Sequence, residues 1–132
     1  MNVEVFSFCE YAANNNGSLT LQGTFDHQVV TEFPAVIPDF YMVVRVRLPR
    51  ENPTSDCQLL FIDPDGKLAF KPTELKLQGP VTNTILRNRN VKVGKIGTYH
   101  VVLRANEKVV ASIPLFIQKS TSRNVSPAGC LN

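Results

Sequence analysis

From Tyr99 to Ile117 the apolar residues fall on every second position, and this alternation constrains the fold more than any other feature of the chain. Tyr99, Val101, Leu103 and Ala105 alternate with His100, Val102 and Arg104. After a polar break at Asn106-Glu107-Lys108 the alternation resumes at Val109, Ala111, Ile113, Leu115 and Ile117, so that the nine apolar residues named as one face are all odd-numbered. A period of two is that of a half-buried strand. Residues opposite one another in an antiparallel pair share a face. The spacing therefore predicts a hairpin in which Ala105 faces Val109 across a three-residue loop, with Asn106 in the left-handed conformation such loops require.

The rest of the chain repeats this pattern in shorter pieces. Val3 to Tyr11 predicts a first strand, with Val3, Val5, Ser7 and Cys9 on one face and Glu4, Phe6, Phe8 and Glu10 on the other. Apolar residues on both faces imply cover on both sides. Asn14-Asn15-Asn16-Gly17 reads as a turn, and Leu19, Leu21, Gly23 and Phe25 predict a second strand in which Gly23 marks a bulge or a close backbone approach. Pro34 and Pro38 bracket an irregular crossing with room for a brief pairing at Gln28-Val29-Val30. Phe40 to Leu48 predicts a central strand, with Phe40, Met42, Val44, Val46 and Leu48 inward and Tyr41, Val43, Arg45 and Arg47 outward. Cys57 to Ile62 is apolar on both faces except at Gln58, and Asp63-Pro64-Asp65-Gly66 ends it as a turn.

Eight or nine short strands, with turns about every 8–12 residues and no amphipathic helix, predict an all-β fold: a single antiparallel β-sandwich. An immunoglobulin-like Greek key is preferred and a jelly roll is the alternative. Gly97-Thr98-Tyr99 at the start of the penultimate strand resembles the corner tyrosine of such sandwiches, and the absence of Trp excludes an antibody-type domain. The expected layout is a sandwich over residues 1–118 and a flexible polar tail over 119–132.

Composition narrows the function classes. At 132 residues with 43% hydrophobic content the chain can bury the core of one domain. A net charge of +3 is too weak for a dedicated nucleic-acid binder, which carries a dense basic stripe. No run approaches the roughly 18 apolar residues that span a bilayer. Met1 to Val5 lacks the basic and apolar regions of a signal peptide, so a cytoplasmic protein with reduced thiols is expected. Cys9, Cys57 and Cys130 have no metal-ligand spacing, although a Cys9–Cys57 bridge stays open as an alternative.

Several of these segments carry a resemblance. Val3-Glu4-Val5-Phe6-Ser7-Phe8-Cys9-Glu10-Tyr11-Ala12 and Gly23-Thr24-Phe25-Asp26 are similar to a family of small uncharacterised bacterial proteins. Ile62-Asp63-Pro64-Asp65-Gly66, Gly97-Thr98-Tyr99 and Ile113-Pro114-Leu115 extend the resemblance to about residue 118. It implies a bacterial cytosolic sandwich, a domain of unknown function, and it transfers no active site.

The residues that could carry chemistry do not assemble into a catalytic or metal-ligating set. Asp63 and Asp65 could offer carboxylates to a divalent cation, but the spacing also suits Asp side chains that bond a β-turn, which is preferred. Asp26, Asp39 and Asp56 are further candidates by composition alone. Asp26 and His27, adjacent within a strand, would point apart. Neither a nucleophile elbow nor a paired-histidine motif is present. The chain is expected to be no enzyme and to need no cofactor.

What remains is a surface. Tyr41, Val43, Val102, Val110 and Phe116 are all predicted to point away from the core, and Arg45, Arg47, His100 and Arg104 would rim them if their strands shared one sheet. Such a patch marks a protein contact, so the expected role is a self-associating interaction or structural module, a homodimer by face packing. The alternatives are scattered exposed valines or a loop such as residues 49–56 lying across them. The competing function is a small-ligand binder, for a carbohydrate or an anion, at the loops of one sandwich end.

Overall fold

The computed structural model of the chain describes residues 1–120. These residues form eleven strands: β1 (Asn2–Asn15), β2 (Ser18–Phe25), β3 (His27–Val30), β4 (Ala35–Ile37), β5 (Phe40–Arg47), β6 (Thr54–Ile62), β7 (Thr73–Gln78), β8 (Val81–Asn88), β9 (Val91–Val93), β10 (Gly97–Ala105) and β11 (Lys108–Lys119). A first sheet has the order β2-β1-β5-β8 and a second the order β3-β11-β10-β6-β7. The strands beyond the expected count include β4 and β9, three residues each, which pair with one another. Every pairing is antiparallel except β3 with β11. The chain is an all-β sandwich.

One core lies between the sheets. The first sheet contributes Phe8, Phe40, Met42, Val44 and Val46, and the second Leu59, Leu77, Val101, Leu103, Leu115 and Ile117. Phe8, Phe25 and Phe40 form an aromatic triangle with all three ring centroids 5.8 Å apart, Phe8 stacked on Phe25 and both meeting Phe40 edge-on. All five residues expected inward between Phe40 and Leu48 are buried. Tyr99 is buried as well, and its hydroxyl donates to the Lys95 carbonyl at 3.1 Å, the corner bond its position suggested.

The β10–β11 hairpin follows the expected parity over most of its length. Tyr99 faces Leu115, Val101 faces Ile113 and Leu103 faces Ala111. Its end does not. Ala105 pairs with Lys108 and Arg104 with Val109, leaving a two-residue turn in which Asn106 and Glu107 both have positive φ, at 51° and 64°. A bulge between Leu103 and Arg104 then restores the register, and Val109 is 63% exposed instead of inward. A two-residue turn with both φ positive matches the twist of the flanking strands, and one extra residue in the return strand absorbs the mismatch.

The β1–β2 hairpin changes faces partway along. Phe8 and Phe25 pair and join the main core, whereas Cys9, Ala12, Leu19 and Leu21 join a second cluster around Val43. Ala12 and Phe8 are an even number of residues apart, as are Leu21 and Phe25, so strict alternation would keep each pair on one side. The reversal coincides with Gly23, which has φ +70° and where an added Cβ would collide with the Glu10 side chain. A bulge at Glu4 separates Val3, against the main core, from Val5 in the second cluster, although one face was expected for both.

Cys9 and Cys57 are free, buried and in different clusters, so the alternative disulfide is not formed. Cys130 and nearly all of the tail expected over 119–132 lie outside the described residues.

Candidate interaction face

The nine residues expected to form one outward patch are divided between the two sheets. Tyr41, Val43, Arg45 and Arg47 lie on β5 in the first sheet, while His100, Val102 and Arg104 on β10 and Val110 and Phe116 on β11 lie in the second. Their outer faces point in opposite directions from the core. Alternation states which side of a strand is buried and leaves open which sheet the strand joins.

On the first sheet the patch is sealed by the chain itself. Beyond its face reversal the β1–β2 hairpin supplies Ala12, Leu19 and Leu21 to the outer side of the sheet, against Cys9, Val43 and Ile85. Val43, expected outward, has no exposure. Polar bonds fasten the hairpin tip: Arg45 Nη1 donates to the Gly17 carbonyl at 3.2 Å and to Asn83 Oδ1 at 3.0 Å, and Asn83 Nδ2 donates to the Gly17 carbonyl at 3.2 Å. The cover is the hairpin and not the loop at 49–56. Tyr11 and Tyr41 meet edge-on at its margin, 6.0 Å apart.

Arg45 and Arg47 are consequently committed. Arg45 Nε donates to Glu4 Oε1 at 2.9 Å and Arg47 Nε to Glu4 Oε2 at 2.7 Å. The Arg47 guanidinium, and after it that of Arg45, holds the Glu4 carboxyl below its ordinary value. A carboxyl depressed in the folded state contributes stability at pH values above its unfolded pKa, and this is lost as pH falls through the folded value. The melting temperature should therefore drop as pH is lowered from about 5 into the acid range. Glu4→Gln should remove part of that slope in melts followed by circular dichroism.

On the second sheet the face stays open and is wider than the residues first singled out. Across β6, β10 and β11, Leu60 lies opposite Val102 and Val102 opposite Ser112, and Ile62 lies opposite His100 and His100 opposite Pro114. Thr98 is opposite Phe116, which pairs in turn with His27. Leu60, Ile62, Val102, Pro114 and Phe116 thus form an apolar band across three adjacent strands. Leu60, Ile62, Val102 and Phe116 belong to neither buried cluster, and Phe116 is 38% exposed. Val110, equally exposed, stands at one end beside the bulge. Arg104 donates to Gln58 Oε1, and Gln58 donates to Glu74 Oε2 at 2.6 Å, so a bonded polar row borders the band. Leu60 and Ile62 were missed because a strand apolar on both faces gives no preferred outside, and only its pairing with β10 supplies one.

The remaining candidates serve local structure. Asp63 Oδ1 accepts from the backbone N–H of Asp65 at 2.8 Å and of Lys67 at 3.0 Å, and Lys95 bonds both Asp63 and Asp65. The Lys67 N–H first, and Lys95 with it, holds the Asp63 carboxyl below its ordinary value. This is the β-turn reading. His27 Nδ1 lies 3.2 Å from Asp26 Oδ1, because Asp26 precedes β3 and is not held apart by strand pleating. Asp39 pairs loosely with Arg87 at 3.8 Å. Among the described residues no three His, Cys, Asp or Glu side chains converge as metal ligands. No helix in the described residues is long and apolar enough to cross a membrane.

One end of the sandwich holds a cavity of about 610 Å³, within the range of small-molecule sites. Leu48, Leu77 and Ala105 line it, with Asp56, Lys76 and Lys108 as its charged groups. Asp56 and Lys76 are directly opposite each other on β6 and β7.

Fold and face together define a small β-sandwich with one self-sealed side and one open apolar side. The chain belongs to a family of unknown function, DUF6941, whose family model matches residues 4–118. No curated protein matches it. Among solved structures it is similar to the crystal structure of beta-glucosidase from Listeria innocua, with a TM-score of 0.47 and 11% identity. That match covers 72% of this chain but only 15% of the glucosidase chain.

Proposed function

We propose that the chain is a non-enzymatic, cytoplasmic interaction module that self-associates through the outer face of its second sheet. The observation that carries this reading is the contrast between the two sides. The first sheet buries Val43 under its own hairpin, whereas the second leaves Leu60, Ile62, Val102 and Pro114 half-buried and Phe116 exposed. An apolar band with a polar border has the anatomy of a protein contact, and a flat antiparallel face can meet a second copy of itself across a two-fold axis. Five strands about 4.8 Å apart present a face of the size needed for roughly 800 Å² per partner. The arrangement of β10 and β11 beside β6, with β3 parallel to β11 at the edge and Tyr99 at the corner, supports an immunoglobulin-like topology. Buried, unpaired Cys9 and Cys57 suit a reducing compartment.

Sedimentation equilibrium at tens of micromolar tests the assembly. The wild type should be a dimer, and Val102→Glu with Phe116→Glu should weaken association at least about tenfold, since each buries a charge at the contact. The melting temperature of that variant should stay near wild type because both side chains are outside the core. A strictly monomeric wild type removes the reading.

A second reading rests on the end cavity, where Lys76, Lys108 and Asp56 could bind a small anion or a carbohydrate. Thermal shifts with glycans, nucleotides and divalent cations test it, and a flat response counts against it.

A further inference from the structure

A second, smaller cavity opens at the opposite side of the core from the β3 edge. There β7 and β8, the edge strands of opposite sheets, leave a gap between the layers. Its volume is about 200 Å³. Met42 and Leu86 line it from the first sheet and Leu59 and Val101 from the second, so its inner wall is the main core itself. Two cations, Lys71 and Arg89, lie among its outer residues. Among the described residues neither has a hydrogen-bond or ion-pair partner, although Arg87 two positions earlier has Asp39.

This combination carries two physical deficits. Protein interiors pack nearly as densely as organic crystals, and side chains lining a gap lose dispersion contacts on that side. Two unpaired cations at one opening repel each other and raise the local potential for anions. An apolar body would fill the first deficit and a single anionic head would answer the second. We infer that the slot between β7 and β8 binds a small amphiphile, a medium-chain carboxylate whose tail enters between the sheets while Lys71 and Arg89 hold its head. At about 200 Å³ the slot is smaller than the roughly 300–1,000 Å³ of ordinary ligand pockets, so a short tail suits it better than the acyl chain of a membrane lipid. The site shares Leu60 with the open band of the second sheet but opens between the layers, and it does not depend on self-association.

Calorimetric titration of the full chain with octanoate tests the inference, with octanol and acetate as the tail-only and head-only probes. Octanoate should saturate one site per chain. Octanol should bind at least about tenfold more weakly, the weight of losing hydrogen bonds to a charged group. Acetate should not bind. Shortening the acid from octanoate to hexanoate should cost about fourfold per methylene removed. Lys71→Gln with Arg89→Gln should bring octanoate affinity down to that of octanol. Leu86→Phe, which fills the slot from a half-buried position, should abolish binding while circular dichroism stays unchanged. Absence of saturation by octanoate in the wild type overturns the inference, and so does equal affinity in either variant.

Discussion

Val43→Asp is expected to destabilise the protein by at least about 3 kcal/mol, because it would place an unpaired carboxylate in a site without solvent access. Urea unfolding followed by circular dichroism measures the loss, and the variant should also show a markedly lower melting temperature. The same substitution on a solvated strand face would change stability by no more than about 0.5 kcal/mol. The two magnitudes are far enough apart to decide between an outward Val43 and one sealed under the β1–β2 hairpin. A near-wild-type Val43→Asp would mean that the hairpin does not close over the sheet in solution.

Phe8→Ala should cost about 3–5 kcal/mol in the same measurement. Phe8 is buried, stacks on Phe25 and meets the edge of Phe40, so its removal opens a cavity where two rings lose a partner each. Phe25 is half-buried on an edge strand, and Phe25→Ala should cost less, since solvent and neighbouring side chains can move into the space. Equal losses at the two positions would show that the triangle fails as a unit.

Local features of the fold were legible wherever one face of a strand is buried and the other is wet. The inward set from Phe40 to Leu48 and the parity of Tyr99 to Leu103 against Ala111 to Ile117 follow from alternation, and the corner bond of Tyr99 follows from its place after Gly97-Thr98. Three things were not legible. A period of two does not say which strands are neighbours, so Val43 and Val102 could be placed in one patch when their strands belong to different sheets. Alternation also assumes an unbroken pleat. The reversal at Gly23 and the bulges at Glu4 and near Val109 each flip a face, and only Gly23 left a mark in the sequence. Finally, Leu60 and Ile62 look like core residues in a strand that is apolar throughout. Their membership in the open band depends on the neighbour that β10 provides.

The parallel pairing of β3 with β11 has a consequence for a chain made from its amino-terminal end. Residues 27–30 reach their partner only when residues 116–119 exist, whereas β1, β2 and β5 can pair as soon as residue 47 has been synthesised. At about 5–20 residues per second, the aromatic and aliphatic inner surface of the first sheet waits several seconds for the layer that will cover it. A nascent chain in that interval displays Phe6, Phe8, Met42 and Val44 to whatever holds unfinished proteins at the ribosome. Truncation before residue 116 should leave it permanently in that state, bound to chaperones and open to proteases.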